Sequence, residues 1–125
     1  MEENKTNVLL HNHGQNIEQL LEKMPSENQF MLVADVFSQL CDSTRLRILW
    51  ILCHSEECVS DIAEIIHMSA PAVSHHLRNL KQMGLIVARR EGKEVLYKLA
   101  KDKKAELVHN MIDDMFEMDC KENKT

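Results

Sequence analysis

Cys58 and Asp61, three residues apart in "ECVSDIAEII", are of types that can hold a metal. On a helix this spacing puts both side chains on one side, where a thiolate and a carboxylate supply half of a tetrahedral zinc site. The same two residues have an ordinary reading, since cysteine is among the most buried residue types and an acidic side chain favours a helix start. A different chemistry is written in "SAPAVSHHLRNLKQMG", residues 69–84, where Val73, Leu77, Leu80 and Met83 fall on one helical face and Ser74, His75, Arg78 and Asn79 on the other. Small residues and Pro71 leave its first turn slender. A helix of this kind enters the major groove of DNA by its N-terminal end, where Ser, His, Asn and Arg reach phosphates or base edges.

The elements that must carry these residues are mostly helical. With 3 Gly and 2 Pro in 125 residues and 44% hydrophobic content, the chain is long enough for one compact domain of helices joined by short connections. Ile17, Leu20, Leu21 and Met24 mark a first amphipathic helix ended by Pro25; Phe30, Val33, Val36, Phe37 and Leu40 mark a second. Asp42 and Ser43 are caps for a third, "TRLRILWILCH". The segment from Ser60 to Ile66 makes a short helix with Asp61 in its first turn, and His67, Met68 and Ser69 form a three-residue turn. Ser69 then caps the helix that Pro71 opens and Lys81 and Gly84 close, so the pair reads as a helix-turn-helix. Beyond Gly84 the period changes: two β-prone runs, with Val95, Tyr97 and Leu99 alternating, flank the polar turn "EGK" and carry Arg89, Arg90 and Lys93 near the tip. A basic hairpin in this place is a wing reaching the neighbouring groove. A last helix, from about Asp102 to Met118, presents Leu107, Val108, Met111, Ile112, Met115 and Phe116, a stripe that predicts a dimer seam together with the first helices. The expected fold class is therefore mainly α with a small β-hairpin, a homodimeric winged helix-turn-helix. Residues 1–14 are expected to be a flexible arm, 15–119 the DNA-binding and dimerisation domain, and 120–125 a tail.

Charge agrees with this reading once its distribution is considered. The formal net charge is −5, yet residues 43–104 hold 11 Lys/Arg against 7 Asp/Glu, while the remainder holds 4 against 13. Phosphate contacts are made by localised charge, whatever the overall balance. Two recognition helices on a two-fold axis would read an inverted repeat with half-sites about one helical turn apart. No apolar run approaches a membrane span and the N-terminus lacks the pattern of a signal peptide, so a cytoplasmic protein without membrane partners is expected. Cys41, Cys53, Cys58 and Cys120 have no disulfide-framework spacing. No glycine-rich phosphate loop or oxyanion-type turn is present, and no enzyme is expected.

The runs "DSTRLRILWIL", "ECVSDIAEII", "SAPAVSHHLRNLKQMGLI" and "ARREGKEVLYKL" resemble, in order and spacing, the ArsR/SmtB family of bacterial metal-sensing repressors over about residues 30–118. The resemblance implies a homodimeric winged-helix repressor that releases its operator when an inducer binds. It places Ser69, Ala70, Ala72, Ser74, His75 and Arg78 in the recognition helix and Arg89, Arg90 and Lys93 in the wing as DNA-binding positions. In the family branch with "C-V-x-D", the ligands that complete the site of Cys58 and Asp61 come from the N-terminal arm, which here carries His11 and His13. Imidazoles with one thiolate suit zinc; cadmium or lead, the alternative inducers, attract more sulfur. The cadmium-sensing branch has a second cysteine where this chain has Ser60, which speaks against a sulfur-rich site.

The family's other frequent site lies between the terminal helices of two subunits. The corresponding positions are Asp102-x-Lys104 and Asp114-x-x-Glu117, and both histidines are missing; His109 and Asp113, four apart, are a substitute pair. An alternative reading is a thiol-based sensor of persulfide or oxidants using Cys53 and Cys120, against which Cys53 is core and Cys120 an ordinary thiol. Cys41 reads as small-residue packing, and His54 beside Cys53 as an unassigned candidate ligand. His75 and His76 are expected to serve DNA contact and helix packing, and His67 to cap or be exposed in the turn.

Overall fold

The structure, a computed structural model, describes residues 16–123, with side chains through Met118. Helices α1 (Ile17–Lys23), α2 (Glu27–Gln39) and α3 (Ser43–His54) are followed by strand β1 (Glu57–Cys58), helices α4 (Val59–Ile66) and α5 (Ala70–Gln82), strands β2 (Ile86–Glu91) and β3 (Glu94–Leu99), and helix α6 (Lys103–Asn123). The chain divides into two compact units between Met31 and Leu32, within α2. In the first unit, the Asn16 side chain caps α1, and Pro25 follows a Met24 left in extended conformation. Ser26 and Gln29 form a reciprocal capping box at the start of α2: the Gln29 N–H donates to Ser26 Oγ (3.1 Å) and the Ser26 N–H to Gln29 Oε1 (2.8 Å).

The second unit holds the helix-turn-helix and the sheet. Asp42 Oδ1 accepts the Arg45 N–H at 3.0 Å to cap α3, which buries Ile48, Leu49, Ile51 and Leu52. These residues meet Ile62 and Ile66 of α4, Val73, Leu77 and Leu80 of α5, and Leu85, Ile86, Val108 and Ile112 in one core. Each fully buried Leu or Ile contributes about 1.5–3 kcal/mol, so α3 is the post on which the helix-turn-helix is mounted.

The sheet is antiparallel in the order β1-β3-β2. The expected hairpin is present, with Ile86 opposite Leu99 and Arg90 opposite Val95. Its turn is Gly92–Lys93, with Gly92 at φ 64° and Glu91 still in the strand, the II′ signature in which only the first central residue needs positive φ. Strand β1 is an addition to the expected elements, because two residues carry no periodicity; Glu57 pairs with Tyr97 and Cys58 with Leu96. β3 is thus the central strand, and Val95–Leu99 are all half-buried in place of the clean alternation expected. Helix α4 starts at Val59, directly from β1. Helix α6 runs to Asn123, past the expected end near Met118, since residues 119–123 contain no Gly or Pro to stop it. Among the described residues no helix is long and apolar enough to cross a membrane.

Candidate DNA-reading face and metal ligands

The helix-turn-helix is built by three local devices. Between α4 and α5, His67 adopts the left-handed conformation (φ 59°, ψ 50°) and its N–H donates to the Ala63 carbonyl, so the chain turns in three residues. Histidine is among the few non-glycine types enriched in that region. Ser69 then caps α5, its Oγ accepting the Ala72 N–H at 3.3 Å, with Pro71 in the first turn. At the other end Gly84 (φ 78°) makes a Schellman closure: the Leu85 N–H donates to Leu80 O (3.1 Å) and the Gly84 N–H to Lys81 O (3.0 Å). Lys104 of α6 donates from Nζ to the Met83 carbonyl and holds this end in place.

The positions on α5 expected to meet DNA divide by exposure. Ser69, Ala70, His75 and Arg78 are exposed, while Ala72 and Ser74 are half-buried. His76 is buried at 9% exposure and belongs to the packing side, so of the two histidines only His75 is exposed. Nδ1 of His76 accepts the Arg45 Nε–H at 3.2 Å, while Arg45 Nη1 donates to Gln39 Oε1 at 2.9 Å. This network ties α2, α3 and α5 together, and the sequence carries no local sign of it. Burial lowers the His76 pKa.

In the wing, Arg90 and Lys93 are exposed. Arg89 is exposed but engaged: Nε and Nη2 donate to the Glu56 carboxylate at 2.7 and 3.0 Å, and Nη1 lies 2.7 Å from Glu91 Oε1. This bidentate pairing holds the Glu56 carboxyl below its ordinary range and raises the Arg89 pKa. Arg89 therefore braces the wing against the segment before β1, with three of its five N–H donors engaged by carboxylates.

Of the expected metal ligands, Cys58 is buried (6% exposed) as the N-cap of α4 and makes no side-chain capping bond, and Asp61 is exposed in the first turn. Thiolate and carboxylate are zinc-ligand types, but one of these side chains is buried and the other exposed, and among the described residues neither belongs to a group of three ligands close enough to hold a metal. His11 and His13 lie outside the described residues. At the site the resemblance implies between terminal helices, Asp102 Oδ1 caps α6 through the Ala105 N–H (2.9 Å), Lys104 is taken by Met83, and Asp114 and Glu117 are exposed. Cys53 is half-buried, and burial, helped by the Asp113 charge, pushes its thiol up to about 12. A thiol held protonated is a poor nucleophile, which counts against the thiol-sensing alternative. The Cys120 side chain lies outside the described set; its backbone belongs to α6. Cys41 is exposed and donates to the Phe37 carbonyl at 3.4 Å.

A groove of about 650 Å³ opens between the end of α2, the start of α3 and α6, lined by Phe37, Leu40, Leu46, Met111, Met115 and Phe116 among others. Leu107, Met115, Phe116 and Met118 continue it as exposed apolar side chains along α6.

Comparison with known proteins bears on both the fold and its use. The family described as "Bacterial regulatory protein, arsR family" matches residues 42–87, from the cap of α3 into β2. The chain is 36% identical over 107 residues to the transcriptional repressor SmtB homolog of Synechocystis sp., covering 86% of this chain and 81% of that protein. It is 46% identical over 79 residues to the cadmium resistance transcriptional regulatory protein CadC homolog of Staphylococcus aureus, covering 62% of this chain and 65% of that protein, a little under two thirds of its length. Among solved structures, the homodimeric winged helix-turn-helix DNA-binding domain Mb0332 from Mycobacterium bovis superposes with a TM-score of 0.65 at 29% identity, covering 75% of this chain and 89% of that one.

Proposed function

The chain belongs to the ArsR/SmtB family of winged helix-turn-helix transcription regulators, and on that premise we propose that it is a metal-responsive repressor which binds an inverted-repeat operator as a homodimer and lets go when a divalent metal binds. The observation that carries the proposal is the exposed face of α5, with Ser69 and Ala70 at its start and His75 and Arg78 further along, in the same fold as a wing that offers Arg90 and Lys93. Ser74 and Ala72 border this face, and Arg89 holds the wing's angle. The apolar groove and the α6 stripe are the seam a second copy would cover, as a homodimeric relative suggests.

The inducer in this reading is zinc, with cadmium or lead as alternatives, held by Cys58 and Asp61 and completed by His11 and His13 from the N-terminal segment. The cadmium-resistance name of a relative supports a metal of this group. Metal there would join that segment to the N-terminus of α4, the first helix of the reading head, and bias the dimer toward a geometry in which its two recognition helices no longer fit successive major grooves. A coupling of about 1–3 kcal/mol is typical of such linkage.

Operator affinity of the reduced protein, titrated with zinc and with cadmium, tests this for wild type beside Cys58→Ser and His11→Ala/His13→Ala. Metal is expected to weaken wild-type binding and to leave both variants unchanged. Metal bound stoichiometrically without effect on operator affinity would overturn the reading.

A further inference from the structure

His54 is the last residue of α3, and His109 and Asp113 lie one turn apart on α6. The fold brings them together: His54 Nε2 is 3.3 Å from Asp113 Oδ1, His109 Nε2 is 2.9 Å from Asp113 Oδ2, and the three ligand atoms all lie within 4.8 Å of one another. The two imidazoles meet edge to face, with centroids 5.1 Å apart and planes at 90°.

The hydrogen bonds around this cluster leave room for a cation. His54 Nδ1 is 2.8 Å from the Trp50 carbonyl, which can only accept, so Nδ1 carries the proton and a neutral ring turns the Nε2 lone pair toward Asp113. A lone pair facing a carboxylate is repulsive unless a second ring proton or a metal cation stands between them. His109 Nε2 is shut off from solvent, and despite its approach to Asp113 it makes no directed hydrogen bond. An outer-shell carbonyl that fixes the tautomer and orientation of a ring is also what a histidine metal ligand ordinarily has.

We propose that His54, His109 and Asp113 bind a divalent transition metal of the zinc class, with three protein ligands and a fourth position left open. The donors are two nitrogens and an oxygen with no thiolate, a set that suits zinc, cobalt or nickel over cadmium or lead. All three ligands come from one chain, unlike the two-subunit arrangement that the resemblance implies. Metal here clamps the end of α3 to α6. Because α3 supports the recognition helix and α6 carries the apolar stripe, the clamp joins the proposed subunit seam to the reading head. That consequence rests on the repressor reading; the metal site itself does not.

The test is metal binding without DNA, using the full chain with Cys58→Ser, His11→Ala and His13→Ala to remove the other candidate ligands. Titrated with cobalt(II), this background protein is expected to bind one ion per chain, with visible ligand-field bands, no sulfur charge-transfer band, and displacement by zinc. Adding His109→Ala or Asp113→Asn lowers cobalt affinity at least about tenfold, judged on protein with unchanged far-ultraviolet circular dichroism; His54→Ala, at an exposed helix end, serves if either fails to fold. Zinc raises the unfolding temperature of the background protein and not of these variants. A background protein that binds no cobalt, or ligand variants that bind it as tightly as their parent, would overturn the proposal whatever the operator titration shows.

Discussion

Arg45 donates from Nε to Nδ1 of His76 across 3.2 Å, joining α3 to the recognition helix through a single hydrogen bond between side chains 31 residues apart. A guanidinium has donors only, so His76 must keep Nδ1 unprotonated and carry its proton on Nε2. Burial favours the same neutral ring and lowers its pKa; Asp42 acts in the opposite sense, and Arg45 and His75 add to the lowering. The hydrogen bond between α3 and α5 is thereby linked to the protonation of one buried imidazole.

Stability should depend on pH through this residue. The unfolded ring titrates near 6.5 and the folded ring below it, so the unfolded state takes up the proton first as pH falls. The contribution is fully present above about pH 6.5 and is lost as pH falls through the folded value. Urea unfolding between about pH 7.5 and 5 should show a falling midpoint. His76→Gln, which can accept from Arg45 without titrating, should flatten part of that fall; equal slopes in the two proteins would rule the link out.

The three wing cations should separate in DNA binding. Arg90 and Lys93 are exposed without an ion-pair partner among the described residues, whereas Arg89 is held by Glu56 and Glu91. Removing one cation that neutralises a phosphate lowers the slope of log affinity against log salt by about 1. Arg90→Ala and Lys93→Ala should each reduce the slope by that amount, while Arg89→Ala should weaken binding with a slope closer to wild type. The reverse order across a salt series would mean that Arg89 changes partners on DNA.

What the sequence disclosed and what it hid divide by range. Asp42 and Ser69 cap the helices that their positions predict, and the apolar period of Val73, Leu77 and Leu80 marks the buried face of α5, because each signal lies within a few residues. The hairpin is legible from its β-prone runs and its Gly92 turn. Strand β1 is not, since Glu57 and Cys58 become a strand only by pairing with Tyr97 and Leu96. The engagement of Arg89 by Glu56, 33 residues earlier, is hidden for the same reason, and so is the meeting of His54 with His109 and Asp113. His109 and Asp113 are visible as a pair of helical neighbours, but no local pattern names the third member. Charge and imidazole pairs set by tertiary packing leave no periodicity to read.

Cys53 should be the slow thiol. Its pKa is pushed up to about 12 by burial and by the Asp113 charge, so the reactive thiolate is scarce at neutral pH. Alkylation by iodoacetamide at about pH 7.5, followed by peptide mass mapping, should label exposed Cys41 well before Cys53. Asp113→Asn should speed Cys53 modestly by removing the nearby charge, leaving burial as the larger restraint. Rapid labelling of Cys53 in the folded protein would return the thiol-sensing alternative to the front.

Phe116 offers the sharpest test of the seam. It is 44% exposed and lines the same groove as Phe37, which is 53% exposed, beside Met115 at 63%. Apolar side chains of this size gain about 1.5–3 kcal/mol each when fully buried, and several in one continuous patch are more than a monomer ordinarily leaves to water. Phe116→Glu would place a charge where the proposed partner's apolar face must close, a cost larger than the burial it replaces. Sedimentation equilibrium should find wild type as a dimer and the variant shifted toward monomer by at least about a hundredfold in dissociation constant, equivalent to about 2.7 kcal/mol. The variant should unfold at nearly the wild-type monomer's stability, because Phe116 lies outside the buried core set by Ile48, Leu77 and Leu80. Unchanged dimerisation would move the seam away from this groove, and operator binding that survives in a monomeric variant would remove the need for a two-fold inverted repeat.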